Sequence, residues 1–424
     1  MGGGFLFKNV RTNIPRQERT RVNTVKVKDK IYVGDLNFLP EVCTGENFKE
    51  NIELVEITLR EEVVYDVDLT IKDKVVLAQA LDALNIPVIQ MHSQGAGEVM
   101  KACRDAGVRA KFEVLSRPYN PYGFKDWKSE VMEAIKGGAD RIRPSITTPR
   151  KWTMGEPGVS AEGVARRALE DVKFALDSGA KEVTIGFTDS PRMDLSFLVD
   201  VGGRAVELGA STIVINDTVG VAKPSLIQHM VRTLAKATGG KIRVHCHNDF
   251  GLATANTLAA LEAGADGAET VINGADPARS GIAPVAEVVM ALLCLYNKDI
   301  GIVTEKLTEA SFLFADMSGI PVAEQKPVVA DRNWMYKRDH IMRTITKDES
   351  IQFPFSPSLV GQKFQVGMGR GSGVVGVKEK LRLLGISVPE ERVPDIVKAV
   401  TKDAIERKRR LTDDEFRSLV SSIK

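Results

Sequence analysis

A (β/α)8 barrel, the α/β TIM-barrel class, is the fold this sequence predicts, and three observations carry it. From residue 50 short β-branched runs alternate with longer segments of helical periodicity. Eight such units fill about 250 residues, the count and length of that barrel. Several helical segments end in glycine directly before the next strand, at Gly107, Gly138, Gly179, Gly209 and Gly264, where glycine closes a helix in the left-handed conformation. The first strand then runs into TLREEVV, with no glycine. A doubly wound sheet, the rival class, usually has fewer strands and a Gly-rich phosphate loop at that point.

Taken in order, residues 1–47 read as an N-terminal extension in which GFLFKNV and KDKIYVGD could each add an edge strand. Residues 48–310 form the barrel domain. Its strands are expected in IELVEITL, IPVIQM, AKFEVLS, DRIRPSI, EVTIGF, STIVIND, KIRVHCH and DGAETVIN. Amphipathic stretches such as KDKVVLAQALDALN and AEGVARRALEDVKFALDSGA lie between them. Residues 311–424 lose the rhythm and read as a loop-like stretch followed by a small helical subdomain, with helices in GVKEKLRLLGI, RVPDIVKAVTKDAIERKRR and TDDEFRSLVSSI.

The chain of 424 residues exceeds what one core usually organises, in keeping with a large domain plus a smaller one. A net charge of +2 with both signs interspersed gives no case for nucleic acid; the run Arg407-Lys408-Arg409-Arg410 reads as a solvated helix face. The four cysteines form no CxxC pair, which fits a reducing, cytoplasmic compartment. MGGGFLFKN lacks the pattern of a secretory signal, and no apolar window is long enough to span a membrane.

VHCHND places two of the five histidines one residue apart. Residues two apart on a strand share a face, so His245 and His247 point together at the C-terminal mouth of the seventh strand, where barrel enzymes keep their chemistry. A hydrogen-bonded loop pair is the structural alternative. Other strand ends add donors: Arg60, Glu61 and Glu62 close the first strand, and Asn273-Gly274 the eighth. Carboxylate Glu61, imidazoles His245 and His247 and amide Asn273 make a mixed nitrogen and oxygen set suited to a divalent metal such as Mg2+, Mn2+ or Zn2+.

HCHNDFGLATANTLAALEAGADGAETVING closely resembles the metal-binding segment of the DRE-TIM metallolyase superfamily. That superfamily contains isopropylmalate, homocitrate, citramalate and Re-type citrate synthases, and hydroxymethylglutaryl-CoA lyase. INDTVGVAKP is similar to its sixth-strand signature and TDSPRMDLSFLVD to its fifth. FSPSLVGQKFQVGMGRGSGVVGVKEKLRLLGI resembles the segment that follows the barrel in the condensing synthases and that the lyases lack.

The resemblance implies attack by the enolate of acetyl-CoA on a 2-oxo acid chelated to the metal, followed by thioester hydrolysis. It also implies a role in amino-acid biosynthesis and a homodimer. Arg60 would place positive charge beside the developing alkoxide. His340, near the histidine those synthases carry in a GIH or SGSH context but here preceded by Arg338-Asp339, would be the base. Thr218 would bind the 2-oxo acid carboxylate, and Arg143, Ser145 and Thr147 on the fourth strand would meet the distal end of the substrate, with His92 lining the pocket. Arg143 and Arg192 could grip a second carboxylate, which favours oxaloacetate or 2-oxoglutarate; a structural ion pair is the alternative for each.

Four positions depart from the family pattern. Glu61-Glu62 stands for Asp-Gly in TLRDG, Thr188 replaces a glutamate, GRGSG replaces GKHSG, and the eighth-strand NGxGERxGN becomes Asn273 to Ile282 without its Glu and final Asn. They suggest an outlying subfamily. The rival readings are a carbon–carbon lyase on the same scaffold and a non-catalytic binding homologue. The chain also stops short of the regulatory domain of leucine-inhibited isopropylmalate synthases, so no feedback through such a domain is expected.

Overall fold

The computed structural model describes residues 28–61, 67–116, 127–146, 160–275 and 279–423. Eight parallel strands close into a barrel in chain order: β1 (Glu53–Glu56), β2 (Val88–His92), β3 (Lys111–Ser116), β4 (Arg141–Ile146), β5 (Thr184–Phe187), β6 (Thr212–Asp217), β7 (Lys241–Cys246) and β8 (Gly267–Thr270). β8 returns to β1 with Gly267 beside Glu53 and Thr270 beside Glu56. Every residue of β6 is buried, because one strand face looks into the barrel and the other meets helices.

A single turn, α1 (Thr58–Glu61), precedes α2 (Ile71–Ala83). The outer layer continues with α3 (Ala96–Asp105), α4 (Trp127–Lys136), α5 (Ala161–Asp177), α6 (Leu195–Leu208), α7 (Pro224–Thr238), α8 (Ala253–Glu262) and α9 (Val285–Leu295). α2 starts where its sequence says it should: Thr70 and Asp73 form a reciprocal capping box. α7 opens on Pro224 and closes on left-handed Gly239. The five glycines expected to end helices all have positive φ, between 86° and 114°.

After the barrel come α10 (Leu307–Ser318), α11 (Asp339–Ile345), α12 (Val374–Leu383), α13 (Val393–Glu406) and α14 (Asp413–Ser422). β9 (Met335–Tyr336) and β10 (Gln365–Val366) form a two-stranded parallel sheet, beside which Trp334 packs edge-on against Phe353 at 5.2 Å.

Four local expectations change. β1 stops at Glu56, because the Glu56 carboxylate accepts the Thr58 N–H at 2.9 Å and the Thr58 hydroxyl. That capture starts a helical turn, so Arg60 and Glu61 ride on α1 and not on a strand. α10 runs through position 310, since Leu307, Ala310 and Phe314 keep one buried face. KDKIYVGD forms no edge strand: a closed barrel has no edge to extend. Instead Ile31 makes an antiparallel bridge to Phe355, with Tyr32 N–H on the Pro354 carbonyl at 2.9 Å. GFLFKNV lies outside the described residues. Finally, α13 ends at Glu406, so Arg407 and Arg409 sit in the following turn, where both reach Glu415 at 2.7 Å.

Among the described residues no helix is long and apolar enough to cross a membrane.

Candidate active site

Alternation along the strands sends Arg141, Arg143 and Ser145 up one inner face of the barrel and Arg243, His245 and His247 up another. Barrel interiors are usually filled with branched apolar side chains. Here the lower and middle layers are ionic. Glu113, fully buried, accepts from Arg243 Nη1 at 3.0 Å and Nη2 at 2.6 Å and from Arg141 Nη1 at 3.3 Å. Glu269, equally buried, bonds Arg143 Nη1 and lies 3.2 Å from Arg243 Nε. Burial pushes both carboxyls up, but the guanidiniums win: Arg243 and Arg141 hold Glu113 below its ordinary value, and Arg143 and Arg243 hold Glu269 well below. Charges are tolerated at this depth because each is matched and hydrogen-bonded.

The ionic core reaches the mouth through Glu269. Its Oε2 lies 3.0 Å from His245 Nδ1 and 3.4 Å from Arg60 Nη1. Arg60 Nη1 also donates to Gln90 Oε1 at 2.6 Å, and Gln90 in turn donates to Glu113. Arg60 is therefore clamped from below by a carboxylate and an amide. Burial drives the His245 pKa down to about 3 against the pull of Glu269, so the imidazole is neutral. A neutral ring facing a carboxylate carries its proton on Nδ1, which leaves the Nε2 lone pair for a cation.

His247 follows one step higher. The two rings meet edge to face, centroids 4.9 Å apart, and both are buried. His247 Nδ1 lies 3.1 Å from Arg279 Nη2; Arg279 also donates to the Thr218 carbonyl at 2.5 Å and to Asp249 Oδ1 at 2.6 Å. The Thr218 hydroxyl accepts the Asp189 N–H at 2.8 Å, so its own hydrogen remains to be donated. Asp189 sits in the left-handed region at φ 62°, a conformation that stores strain in a non-glycine residue.

Several of the expected site residues already have partners within the protein. Arg143 is 1% exposed and held by Glu269 and by Asn216 Oδ1 at 2.7 Å. It is a structural ion pair, with Gly186 leaving it room: a Cβ there would come within 2.8 Å of Arg143 Nε. Arg192 is gripped by both oxygens of Asp189, with Nε at 2.7 and 2.8 Å. Asn273, at φ 56°, spends its amide on α10: Nδ2 donates to the Ser311 carbonyl at 2.9 Å, and Oδ1 takes the Ser311 hydroxyl. Ile282, the last residue of the altered eighth-strand motif, makes an antiparallel backbone bridge to His247. His340 is exposed on α11, and no hydrogen bond given by the described residues joins it to the mouth. Ser145 Oγ lies 3.4 Å from Thr188 Oγ1; His92 ends β2 and is half-buried. Thr147 and the Glu61 side chain lie outside the described residues.

The candidate metal donors among the described residues are thus the two imidazoles, and no group of three His, Cys, Asp or Glu side chains is arranged among them to hold an ion. The imidazoles fit a divalent cation, His245 with Nε2 available; the carboxylate that would join them is Glu61, one residue beyond Arg60. Sequence reasoning missed Glu269, Gln90 and Asp189. The signal for Glu269 was present, an acid inside the apolar strand DGAETVIN.

Residues 51–313 match the model of the HMGL-like family. The chain is 30% identical over 405 residues to 2-isopropylmalate synthase of Methanocaldococcus jannaschii, covering 93% of this chain and 76% of that one. It is 32% identical over 372 residues to homocitrate synthase 1 of Nostoc sp., covering 86% and 96%. Among solved structures it is similar to hydroxymethylglutaryl-CoA lyase from Pseudomonas aeruginosa, with a TM-score of 0.55, 17% identity and coverage of 66% and 97%. The carboxyl transferase domain of Rhizobium etli pyruvate carboxylase superposes with a TM-score of 0.53 at 18% identity, covering 84% and 56%. The solved structures speak to the fold alone.

Proposed function

The chain belongs to the HMGL-like family, and from that premise we propose that it is a divalent-metal-dependent acyltransferase that condenses acetyl-CoA with a 2-oxo acid and releases CoA. The observation that carries synthase over lyase is coverage. Similarity to the named synthases runs over 86% to 93% of the chain, well past the barrel, whereas the lyase fold covers 66%.

In this reading Glu61, His245 and His247 hold the metal, which when bound supplies Lewis acidity toward the keto oxygen of the 2-oxo acid. Arg60, fixed by Gln90 and Glu269, places a permanent positive charge where the keto oxygen becomes an alkoxide, and pays no reorganisation at that moment. Thr218 donates its free hydroxyl hydrogen to the substrate carboxylate. Ser145, Thr147 and His92 line the distal end. His340 is the base for the acetyl methyl group, contributed across a homodimer, since in its own subunit it is exposed on α11.

With Arg143 locked in the core, Arg192 is the remaining grip for a second carboxylate. A 2-oxo dicarboxylate such as oxaloacetate or 2-oxoglutarate is then held by exchange of Arg192 from Asp189 to the substrate. A panel of 2-oxo acids incubated with acetyl-CoA and Mn2+, with products identified by mass spectrometry, tests this. A preferred dicarboxylate whose KM rises in Arg192→Gln supports the assignment; a preferred branched monocarboxylate indifferent to that change removes it.

A further inference from the structure

The two neighbouring histidines face partners of opposite charge. His245 Nδ1 meets the Glu269 carboxylate at 3.0 Å, whereas His247 Nδ1 meets the Arg279 guanidinium at 3.1 Å. Guanidinium has only donors. The Nδ1 of His247 is therefore an acceptor, and a neutral His247 carries its proton on Nε2. The pair sits in opposite tautomers, and only His245 presents Nε2 as a lone pair.

We propose that Arg279 controls metal uptake by occupying His247, and that a divalent cation binds the histidine pair only by displacing it. Either route to His247 requires this. Coordination through Nδ1 needs the atom Arg279 holds. Coordination through Nε2 needs the proton on Nδ1, where it would confront an N–H of Arg279. The inference rests on the reading of His245 and His247 as metal ligands.

Two features make Arg279 a displaceable cation. Its side chain is 39% exposed, unlike the buried arginines below it. Its partner Asp249 holds it through Oδ1 alone, a single-point contact and not the bidentate grip that fixes a guanidinium most firmly. The guanidinium and the incoming ion are both cations drawn to the same mouth, so one leaving as the other arrives spares that mouth a second positive charge.

The test is Mn2+ titration of the metal-free protein by calorimetry, wild type against Arg279→Gln and Arg279→Lys. Long-range 1H–15N NMR of the imidazoles in metal-free wild type and Arg279→Gln accompanies it. The expected result is a Kd for Mn2+ at least about tenfold lower in Arg279→Gln, with Arg279→Lys, still a donor, nearer wild type. The wild-type spectrum shows His245 as the Nδ1–H form and His247 as the Nε2–H form, and Arg279→Gln releases the latter. Equal or weaker Mn2+ binding in Arg279→Gln overturns the proposal and leaves the metal assignment standing. No Mn2+ binding in any variant overturns both. An Nδ1–H tautomer at His247 in wild type overturns the proposal even where the variants fail to fold.

Discussion

His245 Nδ1 lies 3.0 Å from Glu269 Oε2, and the same carboxylate is shared by Arg143 and Arg243. One buried acid thus ties a candidate metal ligand to the ionic core. Glu269→Gln keeps the shape and removes the charge, leaving buried guanidiniums uncompensated. The expected loss of stability is about 3–5 kcal/mol by urea denaturation. Mn2+ affinity is expected to fall roughly 10–100-fold, the range typical of losing a carboxylate behind a metal-bound histidine. Unchanged stability would contradict the charge-matching account.

Asn273 provides the opposite case. Its amide is committed to Ser311, so Asn273→Ala is expected to cost about 1–3 kcal/mol of stability while Mn2+ affinity measured by calorimetry stays unchanged. A large loss of affinity without loss of stability would restore it as a ligand.

The fold was legible in the sequence because its signals are local and repeated: β-branched runs, helical periodicity and glycines that end helices. The His-x-His pair was legible for the same reason, since two-residue spacing alone puts both rings on one face. What the sequence hid depends on closure of the barrel. Glu113 meets Arg243 and Glu269 meets Arg143 across the interior, at separations of more than 100 residues. No periodicity reports such pairs, so Arg143 read as a substrate grip. The α1 turn was hidden by a different and local cause, the bonds of Thr58 to the Glu56 carboxylate within an apparently continuous strand. The hold of Asp189 on Arg192 was hidden too, a three-residue contact whose geometry is set by one left-handed residue.

The pH dependence of stability has an identifiable source away from the site. Burial on α5 pushes the Asp171 carboxyl up to about 7 from its ordinary 3.8, against a weaker opposing pull from Arg167. The folded state then binds a proton that the unfolded chain has released, so stability falls as pH rises between about 4 and 7. Asp171→Asn removes this contribution. Compared with wild type it is expected to be little changed at pH 4 and more stable by a few kcal/mol at pH 8. Urea midpoints measured across that range check it; parallel curves for the two proteins would contradict it.

Loss of the imidazoles bears on the assigned ligands. His245→Ala and His247→Ala are each expected to lower Mn2+ affinity by more than the roughly 10–100-fold of an outer partner and to abolish turnover with the chain still folded by circular dichroism. Full activity in either variant would remove that residue from the site.

The central claim is condensation by a metal-dependent synthase, and free-thiol release from acetyl-CoA measures it most directly. With Mn2+ and the right 2-oxo acid, CoA thiol appears; it does not appear without the 2-oxo acid, stops on addition of EDTA, and returns when Mn2+ is restored. Thiol release indifferent to EDTA, or absent with every 2-oxo acid while Mn2+ is bound, would contradict the account.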